Sequence, residues 1–440
     1  MPNNNKKHRV VITGLGLVNP MGHDVETVWQ GMMDGKSGID KTTIFDASTF
    51  PSTFSAEVKN YDLAKHTKKP QLHKDSNRGS SFVIKATIEA CTQAGIDVET
   101  DNPTDGIDRT KMGIYLGAGE GSVENEVFFR AIAKAWDDEN NKMDWGKWAQ
   151  VAFSQMSPMC ELEQEPNMPA AHVAMVTGAR GPTRSCLTAC AASTQASGEA
   201  MMMIRQGYAD IMIAGGAHSM IHPLGVTGFN RLTALSTRND SPQTASRPFS
   251  ASRDGFVIGE GGAALIFESL ESAKKRGAKI LAEIIGYGST ADAFRVTDMH
   301  EDARGAIAAL NAALKDAGIT YKDIDYISTH GTSTSENDSI ETKAIKGAFK
   351  DQAKNIPVSS VKSMMGHLIG VTGAAELITC VLALRDNIIP PTMNLNDPDP
   401  QLDLDYVPNK PRKVDLNIVI NESFGFGGQN NVIIIKRFTD

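Results

Sequence analysis

The sequence has no excess of positive charge, no long apolar run, no even set of cysteines and no low-complexity linker. Lys and Arg number 44 against 52 Asp and Glu, a formal net charge of −8 over 440 residues, which argues against a general nucleic-acid binder. No apolar stretch reaches the length that crosses a bilayer, so no membrane insertion is expected. Lys6, Lys7 and Arg9 precede apolar residues near the start, but Gly14 and Gly16 interrupt that run too early for a signal peptide. Five cysteines, scattered without metal-ligand spacing, predict neither a disulfide framework nor a metal site and point to a reducing, cytoplasmic setting. What remains, 41% apolar and 22% charged residues, is the composition of a globular protein with ample material for a core. Without a linker, its parts are expected to be fused into one body.

The chain alternates between strand and helix patterns. Arg9 to Thr13 reads as a buried strand entering a glycine turn, Gly14-Leu15-Gly16. Asn19-Pro20 stands where a dinucleotide fingerprint would carry its third glycine, so that reading is weak. GMMDGKS, from Gly31 to Ser37, is too short between its glycines for a phosphate loop and ends a helix, with Gly35 as its stop. A helix is expected over Ser80 to Gln93, closed by Gly95, and a strand over Met112 to Leu116 that runs into a glycine-rich turn, Gly117 to Gly121. Val123 to Pro169 is the least readable part, with Asp137-Asp138-Glu139, Trp145, Trp148 and many methionines. It fits an amphipathic interface segment or a flap. Strands follow over Ile211 to Ala214, Ala263 to Phe267, Tyr326 to Ser328, Ile418 to Ile420 and Val432 to Ile435, with helices over Ala303 to Ala317 and Ala374 to Leu384.

Cys190 is the residue around which chemistry can be built. Arg184 to Ala189 reads as a short buried strand and Ala191 to Gln206 as a helix of small residues and Met, stopped by Gly207. The thiol therefore lies at a strand-to-helix corner, where free backbone N–H groups and the helix dipole favour a thiolate. A lone cysteine is more often a space-filling residue, and Cys91, Cys160, Cys186 and Cys380 are read that way. Cys190 needs partners. His330 opens His330-Gly331-Thr332-Ser333-Thr334 at the end of a strand, followed by Asn337, Asp338 and Glu341. His367 ends Lys362-Ser363-Met364-Met365-Gly366-His367, ahead of a helix that carries Glu376. Ends of this kind are where α/β sheets carry their sites. Phe424-Gly425-Phe426-Gly427-Gly428 offers backbone N–H groups with few side chains around them, which suits an oxyanion hole or a simple glycine hairpin. Lys65, Lys68, Lys69 and Lys74, with His66 and His73 between them, form a basic cluster that reads as a steering patch for an acidic partner or as a solvated loop.

Together these residues resemble the beta-ketoacyl-acyl-carrier-protein synthases, specifically the elongating type II condensing enzymes. The resemblance rests on Thr188-Ala189-Cys190, Leu235 to Asp240, Arg247-Pro248-Phe249, Arg253 to Val257, the two histidine motifs and Phe424 to Gly428, and it covers nearly the whole chain in order. It implies an α/β thiolase-like fold of two pseudo-symmetric αβαβαββ halves in five layers, α-β-α-β-α. The halves are expected at 1–275, carrying Cys190, and 276–440, carrying both histidines and the glycine turn. It further implies that Cys190 takes an acyl group from acyl carrier protein as a thioester, and that His330 and His367 assist decarboxylation of malonyl-acyl-carrier protein to an enolate. Which histidine acts as base is left open by the residue types. By the same resemblance, Cys190 and Phe426 supply the oxyanion-hole N–H groups, and Lys362 orders the site through carboxylates such as Glu376, with Asp338 and Glu341 as structural support. Thr332 and Thr334 would bind the pantetheine arm, Phe426 and Phe229 would form a gate and a pocket wall, and the basic cluster would dock the carrier. No cofactor or metal is implied, and a homodimer is expected, with a heterodimer as the alternative.

The chain departs from the family pattern at a few positions. Glu120 falls where an apolar residue is usual at the floor of the acyl pocket, and a carboxylate there would alter acyl selectivity unless it turned into solvent. Ser335 and Gln429 replace other residues near the motifs, and Val123 to Pro169 is long, which suggests a specialised branch. A non-catalytic chain-length partner would lack the cysteine. A cysteine hydrolase would leave the second histidine without a task, and a thiolase would carry a cysteine where His367 stands.

Overall fold

The computed structural model describes residues 8–121 and 124–439; Lys6, Lys7 and Val123 lie outside them. Among the described residues the main sheet has the strands β1 (Val10–Val18), β2 (Met112–Ala118), β3 (Thr183–Cys186), β4 (Ile211–Ser219), β5 (Glu260–Ser269), β6 (Ala282–Ala291), β7 (Tyr326–Ser328), β8 (Val358–Ser359), β9 (Ile418–Gly425) and β10 (Gln429–Lys436). Their spatial order is β8-β7-β9-β10-β6-β1-β5-β4-β2-β3. Outward from the β1–β6 contact, the two sides repeat each other. Each has two antiparallel pairings followed by two parallel ones. β1 and β6 pair only over Val10 to Ile12, which joins two half-sheets into one ribbon.

The helices repeat as well. In the first half α1 (Arg78–Ala94), α2 (Met168–Thr177) and α3 (Ala192–Arg205) alternate with strands, and in the second half α4 (Arg304–Ala317), α5 (Ser335–Phe349) and α6 (Thr372–Asp386) do the same. α1 covers the β1 and β5 face with α2 beside it, and α4 covers β6 and β10 with α5 beside it. α3 and α6 pack on each other between the half-sheets. The expected five-layer, two-half architecture is therefore present. Strands covered by helices on both faces need near-continuous apolar sequence, and β4 and β10 are buried along almost their whole length.

Two elements differ from expectation. Gly14 and Gly16 lie inside β1 and form no turn. The reason is the close approach of α1: a Cβ on Gly14 would sit 2.1 Å from the Ala90 carbonyl oxygen, and one on Gly16 1.8 Å from that of Ala86. The strand before Cys190 is also shorter than expected. It ends at Cys186, and a single 3₁₀ turn, Ala189–Ala191, leads into α3. Ala189 holds φ +48°, a left-handed conformation that a non-glycine residue adopts only where its surroundings enforce it.

From Glu124 to Gln155 the chain forms two amphipathic helices, Asn125–Ala135 and Trp145–Gln155, joined by a short hairpin, and a short helix, Pro158–Leu162, follows. Phe153 is 93% exposed and Trp145 69%, so this segment presents an apolar surface rather than a core.

The glycine contacts give a direct test. Gly16→Ala is expected to destabilise the protein by about 1–3 kcal/mol or more, because the clash is with backbone. Gly228→Ala, with nothing within 4 Å of the added carbon, is expected to be neutral or slightly stabilising. Chemical denaturation of the two variants against the parent checks both.

Candidate active site

Cys190, His330 and His367 converge. The cysteine sulfur and one ring nitrogen of each histidine lie within 4.8 Å of one another, all buried. The rings of the two histidines stand 5.4 Å apart at 84°. Phe424 abuts His330 and Phe256 abuts His367, so apolar edges surround the imidazoles. All three polar side chains line a cavity of about 470 Å³, together with Thr332, Thr334 and Phe426.

Local structure explains each placement. Cys190 sits in the 3₁₀ turn ahead of α3, with the end of β9 against it: a Cβ on Gly425 would lie 3.0 Å from the Thr188 carbonyl and 3.4 Å from the Cys190 nitrogen. Only glycine allows that approach. The sulfur is in hydrogen-bonding reach of its own backbone N–H and that of Phe426. His330 follows β7, and its main chain is gripped from two sides. Glu341 accepts the N–H of His330 at 2.6 Å and that of Gly331 at 2.7 Å, while the Lys362 ammonium donates to the His330 carbonyl. Lys362 also bonds Glu376 at 2.5 Å. Asp338 accepts the N–H groups of Phe249 and Ser333, with Arg253 3.7 Å away.

The orientation of His367 is set by its Nδ1, which receives the Ile369 N–H at 3.3 Å and contacts the Thr372 hydroxyl at 2.9 Å. An Nδ1 that accepts leaves the proton on Nε2. That Nε2 is buried with no partner among the described residues, as is Nδ1 of His330. Burial, reinforced by the Lys362 ammonium, holds both imidazoles far below their ordinary pKa. Two neutral rings therefore face the cavity.

Burial acts on the sulfur too, and against the expectation of a resting thiolate. Desolvation pushes the Cys190 thiol up to about 11 although Lys362 and two backbone N–H groups favour the anion. At Cys190 the desolvation of the thiol outweighs what the helix start, the N–H groups and the Lys362 charge return.

The family model described as beta-ketoacyl synthase, N-terminal domain, matches residues 7–273, and that described as beta-ketoacyl synthase, C-terminal domain, matches residues 281–396. The chain belongs to the beta-ketoacyl synthase family. It is 40% identical over 430 residues to a 3-oxoacyl-[acyl-carrier-protein] synthase 2 of Staphylococcus aureus, covering 98% of both chains. It is 41% identical over 436 residues to the protein of the same name from Synechocystis, covering 99% of both. Among solved structures it superposes with TM-score 0.86 and 33% identity on a ketosynthase bound to a hexaketide in complex with its type II polyketide acyl-carrier protein. A beta-ketoacyl synthase from Burkholderia phymatum gives TM-score 0.86 at 31% identity; each match covers 98% of this chain and 100% of the other.

Of the other expected residues of this synthase, Phe229, Glu120 and the basic cluster lie outside the cavity. Phe229 is one ring removed, edge-on to Phe256 at 5.4 Å. Glu120 is exposed and borders a separate small polar recess with Arg78, Asn77 and His218, where its charge acts on His218 and His222. Lys65, Lys68 and Lys74 are exposed, and Lys69 pairs with Asp101 at 2.9 Å; none borders the cavity. Thr332 and Thr334 share a hydroxyl contact of 2.9 Å on the cavity wall.

Sequence reading missed Thr372, whose position five residues after His367 at the start of α6 was the available signal. It also missed Glu422, a carboxylate with no accessible surface in the middle of β9.

The protonated resting thiol makes a prediction. Alkylation of Cys190 by iodoacetamide should accelerate about tenfold per pH unit between about pH 7 and pH 9 without a plateau. A plateau below about pH 8 would show a stabilised thiolate instead.

Proposed function

We propose that this synthase catalyses the decarboxylative Claisen condensation of an acyl primer, carried on Cys190, with malonyl-acyl-carrier protein, releasing carbon dioxide and a beta-ketoacyl-carrier protein. The observation that carries the proposal is the meeting of one thiol and two neutral imidazoles in a cavity whose wall also offers two backbone N–H donors. The names of its relatives support condensing chemistry over a non-catalytic chain-length partner.

In the first half-reaction the Cys190 sulfur attacks the carbonyl of the carrier thioester. The new C–S bond forms, the old one breaks, and the carrier leaves as its thiol with the proton of Cys190. A neighbouring neutral imidazole is placed to relay that proton, which the raised thiol pKa makes necessary. Charge on the tetrahedral oxygen falls to the N–H groups of Cys190 and Phe426, a preorganised arrangement of the kind worth about 10²–10³ in rate per donor.

In the second, malonyl-acyl-carrier protein loses carbon dioxide, and the electron pair of the broken C–C bond passes to an enolate whose oxygen bears the charge. The Nε2–H of His367 is a donor aimed at that position, and the His330 ring stands beside it. An imidazolium would also donate, but two neutral rings keep the site free of net charge while substrate enters, so the interaction strengthens only as the enolate forms. The enolate carbon then attacks the acyl carbonyl, the C–S bond breaks, and the Cys190 thiolate released takes up a proton from solvent. Lys362, Glu341, Glu376 and Asp338 act by fixing the main chain at His330 and Ser333. Thr332 and Thr334 are positioned to hydrogen-bond a pantetheine arm.

The partner is acyl carrier protein, which the solved relative described above also binds. The basic cluster Lys65, Lys68, Lys69 and Lys74 is its proposed docking surface, since exposed ammonium groups steer an acidic protein. A homodimer fits an edge strand, β3, paired on one side only and followed by the exposed Leu187, and it fits the exposed Trp145 and Phe153 of the helix Trp145–Gln155. Such an edge invites a second strand, and such an apolar face invites a partner. The proposed division into halves, 1–275 and 276–440, leaves five of the described main-sheet strands on each side.

Intact-mass analysis after incubation with a panel of acyl carriers is expected to show one acyl group on Cys190, lost when malonyl-acyl-carrier protein is added. A sulfur left unmodified by every donor would contradict the proposal. Charge reversal at Lys68 and Lys69 is expected to raise KM for carrier-bound substrate severalfold at low salt, with kcat little changed. Insensitivity to both the reversal and salt would place the carrier elsewhere.

A further inference from the structure

Behind His330 the carboxylates outnumber the cations. Glu422 lies in β9 opposite Val432, with no exposed surface, and no donor among the described residues reaches either of its oxygens. The ionisable groups that face it are Glu341, in hydrogen-bonding reach, and Glu376 and Lys362. Lys362 is already committed to Glu376 and to the His330 carbonyl. Glu341 is committed to the N–H groups of His330 and Gly331 and to the Asn337 amide, so it must stay an acceptor. Two ionised carboxylates touching in a dry interior repel strongly. One proton turns that contact into a short, charge-assisted O–H···O⁻ bond.

We propose that Glu422 is an uncharged carboxylic acid in the folded synthase, donating its proton to Glu341 and so serving as a positioning residue for His330. Burial pushes its carboxyl well above the ordinary range, and the neighbouring Glu341 adds to the effect. The donated proton fixes the Glu341 carboxylate in the plane that grips the His330 main chain without adding charge beside the Lys362 ammonium. The effect on turnover rests on the reading of His330 given above; the protonation itself does not.

The test compares the full-length protein with Glu422→Gln and Glu422→Leu. Gln keeps a donor toward Glu341 without a titrating group, and Leu removes it. At pH 8, above the Glu376 and Asp338 carboxyls that burial raises to about 7, the parent should show the infrared carbonyl stretch of a protonated carboxylic acid, and Glu422→Gln should lose that band. A carboxyl with a raised folded pKa favours the fold below its unfolded pKa and loses that contribution as pH rises. The melting temperature of the parent should therefore fall relative to Glu422→Gln by about 1–2 °C per unit from about pH 5 to pH 8. Condensation kcat/KM should drop about tenfold or more in Glu422→Leu and be largely restored in Glu422→Gln, with a loss of activity at high pH in the parent that the Gln variant lacks. Equal pH slopes of melting and an unchanged infrared band would overturn the proposal, and these two readouts decide it alone if Glu422→Leu does not fold. Because neither needs a substrate, they remain informative even if the condensation reading fails.

Discussion

The contact between the first turns of α3 and α6 governs the rest of the molecule. A Cβ on Gly373 would lie 1.8 Å from the Thr194 hydroxyl, the Ala374 N–H bonds the Ser193 hydroxyl at 2.9 Å, and Thr194 bonds Ser423 of β9 at 2.7 Å. Cys190 lies two residues before α3 and His367 five residues before α6, so this contact brings a residue of each half to one point. The two halves repeat the same order of strands and helices, and in each the central helix starts at the same end of its sheet. A repeated fold packed about its central helices therefore creates a shared site, with β9 and β7 supplying Phe426 and His330 around it.

The electrostatics of that point follow from its dryness. Burial is the main cause that pushes the Cys190 thiol and the Glu376 carboxyl upward, the latter to about 7, and the imidazoles downward. Each shift favours the uncharged form. The one fully buried ammonium among the described residues, Lys362, is held by Glu376 and by a backbone carbonyl and works against the charged forms of both histidines. A resting site of neutral groups has little to lose when water is excluded. It responds most to the negative charge that appears on an oxygen during reaction, which is where preorganised donors contribute to rate.

Much of this was legible in the residues. The strand-to-helix corner at Cys190 and the glycines beside each histidine carry their geometry locally, and strand and helix periods located most of the repeated elements. What was not legible depends on distant packing. Gly14 and Gly16 read as a turn because their cause, the carbonyls of Ala86 and Ala90, lies in another element. The thiolate expected from the helix start gave way to desolvation, which depends on what covers the sulfur. Glu120 sits outside the cavity and Phe229 one ring behind its wall, because the path of the loops decides which side chains reach it. Glu422 was invisible for a similar reason: a carboxylate inside an apolar strand has meaning only once Glu341 and Lys362 are seen beside it.

The central claim is that both imidazoles facing the cavity are uncharged before reaction. Nitrogen-15 NMR of the imidazole side chains, titrated through the range around pH 6.5 where an exposed histidine changes charge, tests it most directly. The account predicts that His330 and His367 keep neutral-ring shifts throughout, with His367 protonated on Nε2. Titration of either ring near pH 6.5 would contradict it.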